Sequence, residues 1–393
     1  MNFGSKWLTS FILSILTPLS EFGIFSYINT IGNTLSVFFA FGSNLELIHK
    51  ANEERDKSDR LLIDSIIIST ILFILFLIFI PILSIFLKNQ FTTYIHWSMI
   101  FGFINAISLS IFSYWKGKGF FYKEALCYSF YLLAILLFGL CLYLFDYPID
   151  LNKLFFIMLI IYCIPVFTGF LGIKILKSID VLKTFSNLVS IFKSKSPYGI
   201  HSIQVTLYTN ISYILLGFLV TPDLIGTYKA LYLLALPASL IPGIFSQVLL
   251  QRLSETKGKH KEFKRIFRTF LFTLSLIGIS LFLLYLLLGE NIINLLYHDK
   301  ISSSYHILIY IFLGTITMRF ISSNYGILIT AMGKQNIRVY VTFFSLTIST
   351  VLLFILTKRY SIIGASLANM SGYLLLLVCY FIYGELLLKR ESL

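Results

Sequence analysis

The chain has 393 residues, 57% hydrophobic and 12% charged, with mean hydropathy +0.86 and a formal net charge of +13. A soluble domain carries about 25% charged residues, so the composition excludes a chain built only of water-exposed domains and places most of it in a bilayer. A charge of this sign suggests nucleic acid in a soluble protein. Here the Lys and Arg side chains sit in short loops between apolar runs, where they set topology, and no nucleic-acid partner is expected.

Apolar runs rich in Ile, Leu and Phe cover 4–19, 23–48, 61–87, 93–115, 120–145, 153–177, 199–220, 225–250, 267–289, 303–330, 336–357 and 361–388. A span needs about 20 residues, and lipid offers no partner to an unpaired backbone, so each run is predicted as a transmembrane helix. The first run follows Lys6, is short for a span and lacks an A-x-A site, which favours a first helix over a cleaved signal. With the amino terminus inside, the inner loops hold roughly four times as many Lys and Arg residues as the outer ones, a strong positive-inside bias. An even number of helices puts both termini in the cytoplasm. The outer loops are all short, which argues against a glycosyltransferase or polymerase with a large external catalytic loop. The longest inner loop, KSIDVLKTFSNLVSIFKSKS from Lys177 to Ser196, has amphipathic spacing and is predicted to lie on the inner leaflet as an interfacial helix.

Few motifs carry chemistry. Cys127, Cys141, Cys163 and Cys379 lie in apolar segments without CxxC spacing and read as small membrane hydrophobes. The six histidines form no HExxH cluster, so neither a metal nor a cofactor is expected. Gly117-Lys118-Gly119 is too short for a phosphate loop and reads as a helix end. No Ser, His and Asp residues converge in a catalytic motif.

An internal repeat is visible. Aligning Gly23 with Gly226 places Ser43-Asn44 on Ser246-Gln247 and His49 on Arg252, and each copy then enters a basic loop. Further on, SYWKGKGFFYKE matches LITAMGKQNIRVY as a helix end, Gly, Lys and a new helix. The repeat predicts an all-α, polytopic membrane protein of twelve transmembrane helices in two pseudo-symmetric six-helix lobes around a central cavity. The lobes are 1–178 and 199–393, joined by a cytoplasmic interfacial linker, 179–198.

Several polar groups fall at membrane depth. Ser26, Asn29, Asn33, Ser36, Ala40 and Ser43/Asn44 recur at spacings of three and four, forming one face of a helix. Either they pack helices through hydrogen bonds or they wall a water-filled cavity. Glu46 near the inner end is a candidate for ion coupling, or it reaches the interface. The run 199–220 carries Gln204, Tyr208, Asn210 and Tyr213 where lipid contact is unfavourable. Arg319 is the sharpest residue, because an arginine at midspan costs roughly 2.5–3.5 kcal/mol on insertion scales. It is paired, with Glu46 as one candidate, or snorkels toward the inner surface, or is presented to an anion, for which its planar fork suits phosphate. Lys6 and Lys229 are weaker candidates near the interfaces.

The stretch TPLSEFGIFSYINTIGNTLSVFFAFG resembles the start of Wzx-type O-antigen and polysaccharide flippases, in which an L-S/G-P-E-E-F-G turn follows the first helix. TPDLIGTYKALYLLALP and the AMGKQN helix end are similar to the matching points of the second half. These flippases belong to the multidrug/oligosaccharidyl-lipid/polysaccharide (MOP) exporter superfamily. The resemblance implies a carrier and not an enzyme. Its expected substrate is an undecaprenyl-diphosphate-linked oligosaccharide of O-antigen or capsule, moved from the cytoplasmic to the periplasmic leaflet of the inner membrane. Membrane lipids and polysaccharide polymerase machinery are its expected partners. Arg319 would then hold the diphosphate, and Asn29, Asn33, Gln204, Tyr208, Asn210 and Tyr213 the sugars. The alternatives are an ion-coupled small-molecule exporter of the same superfamily and a membrane glycosyltransferase or polymerase.

Overall fold

The computed structural model describes residues 2–53, 58–78, 89–145, 150–171, 173, 187–256 and 259–390. Within them every regular element is a helix. Residues 179–186 of the expected linker and 79–87 of the third expected span lie outside them.

The described residues divide into two compact units, Met1–Gly226 and Thr227–Leu393. In the first, α1 (Asn2–Leu16), α2 (Leu19–Ala40), α3 (Ser43–Glu53), α4 (Ser58–Leu77), the short α5 (Asn89–Thr92), α6 (Ile95–Gly117), α7 (Phe121–Phe145), α8 (Leu151–Phe170) and α9 (Leu188–Leu219) follow in order. Helices α2 and α6 are well covered, with α6 packed against α2, α3, α4 and α8, while much of α7 shows its Leu and Phe side chains outward, as a lipid-facing helix must. Helix α9 lies along both α2 and α3.

Helix α10 (Pro222–Ala235) begins in the first unit, and its remainder opens the second. A 3-10 turn (Leu236–Leu240), α11 (Ile241–Glu255), α12 (His260–Tyr297), α13 (Ile307–Ala331) and α14 (Gln335–Arg390) complete the second unit. Helix α13 is its buried centre, packed against α11, α12 and α14. Among the described residues, nine helices are long and apolar enough to cross a membrane.

Two expected spans differ from the single helices read in the sequence. The run 23–48 breaks between α2 and α3, where Phe41 (φ 37°) and Gly42 (φ 75°) both turn left-handed. The run 225–250 breaks at Leu236–Leu240, where Pro237 has no N–H to continue the helix. The last two runs form one long element bent at Tyr360 and Ser361, whose dihedrals leave the helical region.

The repeat has matching corners. With Gly23 on Gly226, Thr17 N–H to Leu13 O corresponds to Val220 N–H to Leu216 O, and Phe22 N–H to Pro18 O corresponds to Ile225 N–H to Thr221 O. The second pair of corners agrees bond for bond. Lys118, Gly119 and Phe120 donate to Tyr114, Lys116 and Trp115, as Met332, Gly333 and Lys334 donate to Leu328, Thr330 and Ile329. Gly119 (φ 83°) and Gly333 (φ 72°) take the left-handed position that ends a helix in this way.

Candidate functional site

The polar groups of α2 face two different neighbours. Asn29 is buried, and its Oδ1 accepts a hydrogen bond from the Tyr162 hydroxyl on α8 at 3.1 Å. Tyr162 stacks on Tyr131 of α7, with ring centroids 5.8 Å apart, and the Tyr131 hydroxyl shares a hydrogen bond with Thr9 of α1 at 2.8 Å. One turn on from Asn29, the Asn33 Oδ1 accepts from Lys6 Nζ at 3.1 Å and from Asn105 Nδ2 of α6 at 3.3 Å. Lys6 thus reaches back from the start of α1 into the bundle, because a long apolar stem lets an ammonium sit away from its Cα. Both amide oxygens are used by donors from the same unit. Replacing Tyr162 by Phe removes the bond to Asn29 in a buried place, where an unmet acceptor costs about 1–3 kcal/mol. Tyr162→Phe is expected to lower the thermal midpoint of the purified protein by several degrees; an unchanged midpoint would show that this hydroxyl does not hold α8 on α2.

The other polar stripe of α2 meets α9. Tyr213 hydroxyl and Ser26 Oγ lie 2.5 Å apart, Tyr27 hydroxyl donates to Ile214 O at 3.1 Å, and Asn210 Nδ2 donates to Thr34 Oγ1 at 3.0 Å. Gln204 and Tyr208 are half-buried on the same helix. At the other end of this seam Glu46 is buried against Lys195. Its Oε2 is 2.9 Å from Lys195 Nζ, and its Oε1 accepts from Ser194 Oγ at 3.0 Å. Glu46 therefore has a partner within its own unit, and that partner is Lys195.

In the second unit Arg319 is half-buried on α13. Among the described residues its guanidinium makes no hydrogen bond or ion pair. It lies within electrostatic reach of Tyr232 on α10, as does Tyr373 on α14. Lys229 Nζ lies 5.7 Å from the centre of the same Tyr232 ring, at the distance of a weak cation–π contact. Arg319 and Lys229 are thus each related to Tyr232, one by its field and one by its distance from the ring. An anion at Arg319 would find a guanidinium fork with no partner among the described residues.

A family model described as polysaccharide biosynthesis protein matches residues 12–306, more than half of the chain. The chain belongs to the polysaccharide biosynthesis protein family. Membership agrees with the resemblance to Wzx-type flippases carried by the Gly23 and Gly226 turns. A relative at 27% identity over 261 residues is the capsular polysaccharide biosynthesis protein CapF of Staphylococcus aureus; the match spans 64% of this chain and 64% of that relative's length. The fold is that of the MOP superfamily. An inward-facing multidrug resistance MATE transporter superposes with a TM-score of 0.80 at 13% identity, covering 98% of this chain and 94% of the other. The lipid II flippase MurJ, inward closed, gives 0.73 at 14% identity, with 97% and 86% covered. A MOP superfamily transporter from Pyrococcus furiosus gives 0.62 at 14%, with 99% and 93% covered.

Of the groups just described, Lys195, Tyr162, Asn105 and Tyr232 carry no sequence signal of a site. A tyrosine or asparagine in an apolar run has many equally good neighbours, and Lys195 falls in a stretch whose charges read as loop residues.

Proposed function

We propose that this chain is a flippase for an undecaprenyl-diphosphate-linked oligosaccharide, an O-antigen or capsule repeat unit, carried from the cytoplasmic to the periplasmic leaflet by alternating access. The observation that carries the reading is Arg319. A half-buried guanidinium with no anionic partner among the described residues lies within electrostatic reach of Tyr232, in a family of polysaccharide biosynthesis proteins. A lipid diphosphate supplies the missing charge, and its polyprenyl tail stays in the bilayer. The sugars would meet amides and hydroxyls from Asn29, Asn33, Gln204, Tyr208, Asn210 and Tyr213. No covalent step is involved, so the chain acts as a carrier and not as an enzyme. The reading includes twelve spans, with both termini cytoplasmic, in lobes 1–178 and 199–393 joined by the linker 179–198. The bacterial inner membrane is its location, and polysaccharide polymerase machinery takes over the flipped unit.

A strain lacking this chain is expected to lose surface polysaccharide, to accumulate the lipid-linked unit on the cytoplasmic side, and to recover when the gene is restored. Normal surface polymer in the deletion strain would overturn the proposal. The likeness to a multidrug MATE transporter favours one second reading, a small-molecule exporter. It predicts that the deletion raises sensitivity to cationic dyes and leaves the polymer unchanged. Glu46, the candidate for ion coupling, has its two oxygens engaged by Lys195 and Ser194 in this conformation.

A further inference from the structure

The seam between α9 and the α2–α3 corner is held at its Glu46 end by a charge pair that the transport reading does not use. Lys195 and Glu46 are 1% and 2% exposed and 2.9 Å apart. Lys195 Nζ also donates to Ser43 Oγ of α3 and Ser65 Oγ of α4, each at 2.9 Å. One residue of α9 therefore joins α3 and α4 through three acceptors, Glu46, Ser43 and Ser65.

The surroundings are built for contact without interlocking. Gly42 sits at a left-handed φ of 75°, and a Cβ there would strike the backbone of Gly199 and Lys195; one on Gly199 would meet Phe41 at 3.2 Å. Two glycines thus face each other as flat backbone, with no side-chain knob to withdraw when the surfaces part. Beside them the Phe41 and Phe192 rings pack at 5.5 Å. A buried ion pair adds little net stability, because desolvation offsets attraction, yet it is demanding in geometry. Farther along, the seam is closed by groups that a polyhydroxylated ligand could replace, Asn210 on Thr34 and Tyr213 on Ser26.

We propose that Glu46 and Lys195 form a releasable latch that holds α9 against α3 and α4 in this conformation and lets go in each transport cycle. The inference rests on the transport reading for its purpose. Release hydrates both charges and strips Asn210, Tyr213, Thr34 and Ser26 of their mutual partners, turning the seam into a strip of donors and acceptors for saccharide hydroxyls. Glu46 and Lys195 are positioning residues, acting through α9 and not on the substrate.

The test uses the full chain in membranes, with Cys127, Cys141, Cys163 and Cys379 changed to Ser and with Phe41→Cys and Phe192→Cys introduced. A short bis-methanethiosulfonate linker bridges the two thiols reversibly. If the latch must open, bridging lowers polysaccharide export by about tenfold or more and a reductant restores it, as for a gating element that has been pinned. Bridged protein that exports within about twofold of unbridged would show a static joint and overturn the proposal. A second readout needs no polysaccharide. Lys195→Met is expected to slow bridging in washed membranes about tenfold, because it strands Glu46, and the exchange Glu46→Lys with Lys195→Glu to bring it back. Bridging at the parental rate in Lys195→Met would show that the pair does not hold α9. Because bridging is read without export, the latch can stand even where the deletion strain makes normal polymer and the flippase reading fails.

Discussion

Gly23→Val and Gly226→Val are each expected to remove most of the folded protein from the membrane, although both sites are helical and a larger residue usually helps a helix. The first turn of α10 crosses α2 backbone to backbone. A Cβ on Gly23 would fall on the Pro222 carbonyl, and one on Gly226 on the Leu19 carbonyl. Under the repeat alignment Leu19 corresponds to Pro222, so the two clashes are images of each other. Small residues let membrane helices approach in this way. Overpacking costs 1–3 kcal/mol where side chains can shift. Here the obstacle is main chain on both sides, so about 3 kcal/mol or more is expected. Gly243 is the control, since nothing lies within 4 Å of a Cβ placed there. Gly243→Ala is expected to be neutral or to gain up to about 1 kcal/mol from helix propensity. The measurement is membrane yield and thermal midpoint in detergent, starting with the milder Gly23→Ala and Gly226→Ala. The double variant should lose less than the sum of the singles, because both open the same joint. If Gly23→Ala matches Gly243→Ala, the crossing is not tight.

The spans are the part of this fold most legible in the sequence, because an apolar run behind a basic loop has only one stable form in lipid. The breaks inside them are less so. Phe41-Gly42 continues an apolar pattern, and only the backbone of α9 at Gly199 shows why a left-handed corner is needed there. Leu236–Leu240 announces itself through Pro237, yet a proline alone does not separate a kink from an end. For the polar residues, periodicity correctly groups Asn29 with Asn33, four apart on one face. It does not say that this face meets Tyr162, Lys6 and Asn105 while Ser26 and Thr34 meet α9. Glu46 shows the same limit. Its partner lies on a helix far along the chain, and Lys195 is indistinguishable by sequence from the neighbouring Lys193, which stays exposed. A charge is legible where it interrupts an apolar run, as at Arg319, and illegible where it flanks one.

Arg319→Ala is expected to abolish export while leaving the protein as stable as before or more so. The two halves of that statement have one cause. Placing a guanidinium at midspan costs roughly 2.5–3.5 kcal/mol, and among the described residues Arg319 has no ion pair or hydrogen bond that returns it. Deleting a charge that holds the fold together lowers stability and function in step; deleting one kept for a ligand separates them. A charge-assisted hydrogen bond contributes about 1.5–3 kcal/mol, so losing one to a phosphate oxygen weakens substrate binding by about ten- to a hundredfold. Arg319→Lys keeps the charge without the planar fork and should retain part of the export. Lys229→Met should act in the same direction with a smaller effect, since its ammonium meets the same Tyr232 ring from α10. Surface polymer at matched expression and the thermal midpoint decide the matter together. Normal export by Arg319→Ala would mean that the guanidinium does not bind the anion. Lost export with a lowered midpoint would make Arg319 a structural charge.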